Sequence, residues 1–262
     1  MRATTTGLVA AVVLSCASLA PAGCSAPGGG RASGGRSVLD ITWGWGWDLS
    51  GSAGTYADAS PAERERSLAY YREHVRTADD LGNPLPPVRQ VAFVPEAKAN
   101  APTGQAVEPA AFVDSRGMPV RLEDFRGKRH LVLVFTRGYP GYICPLCTSY
   151  TAQIAYRYPD LAAAGAEVLL VFPGSPGKVQ DFVRAAREVL EQEGPGALPF
   201  PVLLDMDLKG VAAFGIQGDL AKPSTYVIDR AGTVRYAFVG DQPHERPDVE
   251  TILAELRRLE GR

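Results

Sequence analysis

Two cysteines three positions apart, in Cys144-Pro145-Leu146-Cys147, are the residues whose types and spacing best suit covalent chemistry. On a helix they lie one turn apart, close enough to close a disulfide. The nucleophile of thiol chemistry is the thiolate, and a helix N-terminus favours it through unpaired N–H groups and partial positive charge. Cysteines in such places reach pKa values of about 3.5–7.5, against about 8.5 for a free thiol. Pro145 suits the first helical position, where its missing N–H needs no partner. This spacing makes Cys144, at the very start of the helix, the attacking thiolate and Cys147 the resolving thiol. The alternatives are two inert buried cysteines or half of a zinc site. Zinc takes about four ligands, and no second cysteine pair stands in the body of the chain. His130 and His244 are not spaced as a metal cluster and read as surface residues. No metal and no cofactor is expected.

The elements that must position this pair follow from the hydrophobic pattern. Leu131 to Thr136 is a continuous apolar run, as a buried central strand requires. A helix follows from about Cys144 to Ala164, broken near Pro159 and closed by Gly165. Upstream, Ala111–Val113 and Pro119–Leu122 flank Asp114-Ser115-Arg116-Gly117 as a hairpin. Downstream come a strand at 166–172, an amphipathic helix at 177–193 and a strand at 200–204. A short helix at 208–214, strands at 224–228 and 233–239 joined by Asp229-Arg230-Ala231-Gly232, and a last helix at 249–259 complete the chain. Alternating strands and helices imply an α/β fold: a central mixed β-sheet flanked by helices, over residues 106–262.

The first 105 residues read differently. Residues 1–23 have the pattern of a signal peptide: Arg2, an apolar run from Leu8 to Ala20, then small residues. That run is shorter than the roughly 20 residues of a membrane span. Cleavage after Ala22 and lipidation of Cys24 are the two processing outcomes; Gly23-Cys24 resembles the end of a bacterial lipobox, with Pro21 where Leu is usual. The Gly/Ser/Pro-rich stretch 24–37 suits a tether. The chain is expected to be exported to the periplasmic or cell-envelope side, with membrane contact by a lipid anchor. Residues 38–105 form an N-terminal extension with one helix at about 61–81, Ser60 as N-cap, Glu63 completing a capping box and Gly82 closing the end. Leu68, Tyr71, His74 and Val75 share a face of it, His74 as ordinary surface or packing. On a strand, Trp43, Trp45 and Trp47 would share one face, for packing or for a partner or membrane surface.

The chain has 262 residues, 45% of them hydrophobic and 21% charged, enough for a sizeable core. Net charge is −2 with no basic stripe, which argues against a nucleic-acid partner. Of four cysteines, Cys16 and Cys24 lie in the leader, so the body holds a single pair rather than a disulfide scaffold.

Residues 106–260 resemble the AhpC/TSA (redoxin, peroxiredoxin-like) branch of the thioredoxin-like superfamily. The resemblance rests on Val120 to Lys128, the strand to Phe135, Arg137-Gly138 followed by Cys144-Pro145-x-Cys147, and Pro223-Ser224-Thr225-Tyr226-Val227-Ile228-Asp229. It implies a thioredoxin-like fold with Pro223 as a cis proline facing the cysteines. It also implies a hydroperoxide substrate and an unidentified thiol reductant. Peroxiredoxins usually carry Pro seven residues and Thr three residues before the peroxidatic cysteine; counted from Cys144 those places hold Arg137 and Gly141. Many also carry an Arg before the Ser-Thr-Phe strand, where Pro223 stands. Arg137 either supplies that positive charge or braces the loop. The alternative function is thiol–disulfide exchange on protein disulfides, as in TlpA- and ResA-like proteins. SCO-type copper delivery, which typically uses C-x-x-x-C and a downstream His, is the third reading.

Overall fold

The computed structural model describes residues 36–44, 61–108, 110–138, 143–174, 176–191, 197–218 and 220–261. The leader with Cys16 and Cys24, the cap Ser60 and the indoles of Trp45 and Trp47 lie outside the described residues.

The centre is β3 (His130–Phe135), every residue of which is buried. Such a strand must be covered on both faces, and its side chains alternate between them. Val132 and Val134 enter one apolar layer; Leu131, Leu133 and Phe135 enter the other. Its parallel neighbour β4 (Ala166–Phe172) divides the same way, Val168 and Leu170 against Leu169 and Val171. With β1 (Ala111–Asp114), β2 (Pro119–Arg121), β5 (Val202–Leu204), β6 (Ser224–Ile228) and β7 (Val234–Val239), they form a seven-stranded sheet in the order β2-β1-β5-β4-β3-β6-β7. The β3, β4 and β5 pairs are parallel; the hairpins β1–β2 and β6–β7, and the joins β1–β5 and β3–β6, are antiparallel. This is the mixed sheet expected from the pattern. Gly232, at φ +85°, makes the tight return between β6 and β7 that a side chain would strain.

Helices α3 (Pro145–Tyr156), α4 (Tyr158–Ala163), α5 (Pro176–Val189) and α7 (Val249–Leu259) cover the first face. In α5, Val179, Phe182, Val183, Ala186 and Val189 recur at helical spacing and are buried. The other face carries α6 (Lys209–Ala213) and the 3-10 turn Leu122–Phe125. The break at Pro159 separates α3 from α4, and Gly165, at φ +77°, ends α4.

The N-terminal extension departs most from expectation. Trp43 lies on a helix, α1 (Val38–Gly44), and not on a strand. Ser37-Val38-Leu39-Asp40 caps it: Ser37 Oγ accepts from Leu39 N–H (3.2 Å) and Asp40 accepts from Ser37 N–H (3.2 Å). Val38 and Ile41, three apart, are buried in the first-face layer against α3 and α5. Burying each such side chain is worth about 1.5–3 kcal/mol, so the extension joins the main core. Helix α2 (Pro61–Glu73) stops well short of residue 81. Arg76 N–H bonds Gln90 C=O (2.8 Å), and Asp79 Oδ1 accepts from Leu81 and Asn83 N–H (2.9 and 2.8 Å). These local bonds give the backbone a turn in place of a helix, and Gly82 lies in that turn. His130, expected at the surface, is 4% exposed and bonds Glu260 (2.8 Å).

Candidate active site

The chain leaves β3 at Phe135 and re-enters regular structure at α3, so the two cysteines sit at a strand-to-helix junction. Cys144 is the N-cap, with extended φ −82° and ψ 123°, and Pro145 follows in the first turn. Cys144 Sγ accepts the Cys147 N–H at 3.4 Å, and its carbonyl accepts from Thr148 N–H (3.0 Å) and Oγ1 (3.1 Å). The helix therefore begins where its first free donors meet sulfur.

Cys147 Sγ is the better furnished sulfur. It accepts the backbone N–H of Arg137 at 3.1 Å and the Arg246 guanidinium at 2.8 Å. Arg246 is only 1% exposed. Its Nε donates to Pro243 C=O (3.1 Å), Nη1 reaches Phe135 C=O (3.5 Å), and the guanidinium carbon lies 5.2 Å from the centre of the Tyr150 ring. No carboxylate pairs with it among the described residues, and its charge acts on both sulfurs, with Cys147 the one in hydrogen-bond contact. Cys144 and Cys147 are each 1% exposed.

Burial alone raises a thiol's pKa. At Cys144 that rise is outweighed by the hydrogen bond from Cys147 and the charges of Arg246 and Arg137, which bring it down to about 6. Burial and the neighbouring sulfur push Cys147 up. The two sulfurs are hydrogen-bonded to one another, so they titrate together.

Cys144, Cys147, Pro145 and Arg137 lie together, and it is the main-chain N–H of Arg137 that touches sulfur. Pro223 lies on the adjoining segment, with Ala221 bridging Gly138, but its peptide is trans: the described residues contain no cis bond. Lys222 N–H is committed to Ile216 C=O (2.9 Å) and Pro223 C=O to Gly240 N–H (2.8 Å), which fixes the chain on either side of that peptide. Trans is also the cheaper form, by about 0.5–1 kcal/mol. Sequence reasoning missed Arg246. It stands 99 residues after Cys147, and no motif or periodicity ties it to the pair. His244, expected at the surface, is half-buried with Nδ1 2.5 Å from Tyr70 Oη.

The AhpC/TSA family model matches residues 97–237. A chloroplastic peroxiredoxin Q from Sedum lineare is 27% identical over 179 residues, covering 67% of this chain and 87% of that protein. Peroxiredoxin 2 from Thermoplasma acidophilum is 30% identical over 139 residues, 53% of this chain and 60% of the other. In fold, the chain is similar to the crystal structure of peroxidoxin BcpB from Mycobacterium tuberculosis, with TM-score 0.50 and 23% identity over 62% of this chain and 99% of that one. It also resembles the peroxiredoxin 6 of Arenicola marina, with TM-score 0.54 and 14% identity over 62% and 74%. A thiol pair at a strand-to-helix junction of a thioredoxin-like sheet, and a family match over more than half its length, place this chain in the AhpC/TSA family as a thiol-dependent oxidoreductase.

Proposed function

We propose that this chain reduces hydroperoxides through a Cys147–Cys144 dithiol/disulfide cycle, with Cys147 as the attacking sulfur. The observation that carries this reading is the buried Arg246 guanidinium 2.8 Å from Cys147 Sγ. Hydrogen bonds to an ionised partner are about twice as strong as neutral ones. Cys147 has two N–H donors, one of them cationic, and Cys144 has one long one. Burial and the neighbouring sulfur raise Cys147, and the Cys147 hydrogen bond and the arginines lower Cys144. Against this stands the donor count: two N–H groups, one of them cationic and at 2.8 Å, hold the pair's negative charge best on Cys147, with the proton left on Cys144. This reverses the roles that helix position alone assigns.

The spacing agrees. Counted from Cys147, Pro140 stands seven residues before and Cys144 three before, so the family's Pro falls into place and a thiol occupies the position of the Thr hydroxyl. The Cys147 thiolate attacks the nearer peroxide oxygen; the O–O bond breaks, the alkoxide leaves and takes a proton, and Cys147 becomes a sulfenic acid. Cys144 then attacks that sulfur, the S–O bond breaks, water leaves and the disulfide closes. A thiol reductant restores both thiols by exchange.

Two features favour a small oxidant over a protein disulfide. Cys144 and Cys147 are each 1% exposed, and the Pro223 carbonyl, beside the pair, already bonds Gly240. Stopped-flow mixing of the reduced chain with hydrogen peroxide, an alkyl hydroperoxide or a disulfide-bonded protein tests the reading. Disulfide formation with a hydroperoxide far faster than a free thiol supports it. A free-thiol rate with peroxide and fast exchange with the protein disulfide overturns it. The leader pattern supports export and anchoring at Cys24; an unmodified mature N-terminus after Ala22, read by mass spectrometry, would replace the anchor with simple secretion.

A further inference from the structure

Arg246 reaches Cys147 from a turn, Pro243–Arg246, whose own carbonyls hold it. Pro243 C=O accepts from the Arg246 Nε (3.1 Å), and His244 C=O accepts the Arg246 N–H (2.8 Å). The N-terminal extension grips this turn from outside. Tyr70 Oη is 2.5 Å from His244 Nδ1. The His74 ring lies against that of His244, centroids 4.1 Å apart and planes 31° apart, and His74 Nδ1 is 2.8 Å from Tyr70 C=O. At the end of the turn, Val94 N–H bonds Arg246 C=O (2.8 Å) and Asp248 N–H bonds Val94 C=O (2.9 Å).

Donor and acceptor are matched at the Tyr70–His244 bond. Burial pushes the Tyr70 hydroxyl up to about 12, so it keeps its proton at neutral pH. Burial, then the neighbouring His74, lowers His244 and favours the neutral ring; in the tautomer with its proton on Nε2, Nδ1 accepts from the Tyr70 hydroxyl.

We propose that Tyr70 and His244 are positioning residues of the thiol site: their hydrogen bond sets the Pro243–Arg246 turn so that the guanidinium reaches Cys147. The proposal rests on the reading of Cys147 and Arg246 given above. It makes α2, which holds neither sulfur, part of the device that sets thiol reactivity.

The test uses the full reduced chain, with two readouts: ultraviolet thiolate absorbance against pH, and the rate of peroxide-driven disulfide formation at neutral pH. Tyr70→Phe keeps the ring and removes the donor. It raises the pH at which the thiolate forms and slows oxidation about three- to tenfold, the worth of roughly one hydrogen bond. His244→Ala does the same. His244→Asn, which returns an acceptor near the Nδ1 position, recovers most of the rate. The proposal is overturned if Tyr70→Phe and His244→Ala titrate and react like the parent while Arg246→Met does not. It is also overturned if His244→Asn is as impaired as His244→Ala, since packing would then explain both. Should Tyr70→Phe fail to fold, the His244→Asn and His244→Ala pair decides. An Arg246→Met chain that behaves like the parent overturns the Cys147 reading itself, and this inference with it.

Discussion

The start of α3 and the Pro243–Arg246 turn meet at the Cys147 sulfur, and they are built in opposite ways. The helix start is local: Cys144, Pro145, Cys147 and Thr148 cap one another within a single turn. The turn is assembled from afar. Arg246 bonds a sulfur 99 residues earlier and a strand carbonyl 111 residues earlier, and His244 bonds a tyrosine 174 residues earlier. The local half forms with its helix; the distant half forms only when the whole sheet and the N-terminal extension are in place. On the proposed reading, the thiol pair has its cation only in the complete fold.

The largest effect should come from cutting the extension out of the core. Ile41→Ala should cost about 2–5 kcal/mol, the usual range for truncating a buried side chain, in a single urea transition. A change near zero would mean that α1 is a separate appendage. Next, Arg246→Met should slow peroxide-driven oxidation about 10- to 100-fold, because a hydrogen bond to a charged group is worth about 1.5–3 kcal/mol. A loss under about twofold would remove the distant half from the chemistry.

The pH dependence sharpens the same comparison. The hydrogen-bonded sulfurs lose their first proton as a unit, at about 6, and Arg246 holds the resulting charge, so oxidation by peroxide should be level above neutrality and fall about tenfold per pH unit below that value. A folded-state thiol pKa below the unfolded one stabilises the reduced fold. That contribution is fully present above the unfolded value of about 8.5 and is lost as pH falls through about 6. Arg246→Met should move both profiles upward. Arg137→Met should have the smallest effect, under about threefold, because its N–H on Cys147 survives the substitution and only a second charge is removed. An effect equal to that of Arg246→Met would place the decisive cation on the local side.

The two halves were also unequally legible in the sequence. The apolar run of β3, the proline after Cys144, the break at Pro159 and the β6–β7 turn are local or periodic signals, and the elements fall where those signals place them. Cys144 and Cys147 were legible for the same reason. Helix position favours the first sulfur as the attacker; the proposed reversal rests on a guanidinium that arrives from a turn with no periodicity, which no local signal could announce. Pro223 misled because a proline before a strand looks alike in either isomer; its isomer is tied to bonds with Ile216 and Gly240, which are tertiary. Trp43 read as part of an alternating strand, but the Ser37–Asp40 cap and the burial of Val38 and Ile41 favoured a helix. His244 read as surface, since nothing near it in sequence announces Tyr70.

The most direct test of the account is where the first oxygen lands. Cys144→Ser and Cys147→Ser chains, fully reduced, would each be mixed with a limiting amount of hydroperoxide and a sulfenic-acid trap, and the labelled peptide read by mass spectrometry. The account predicts rapid labelling of Cys147 in the Cys144→Ser chain, and no more than free-thiol reactivity of Cys144 in the Cys147→Ser chain. Rapid labelling of Cys144, with Cys147 inert, would contradict it.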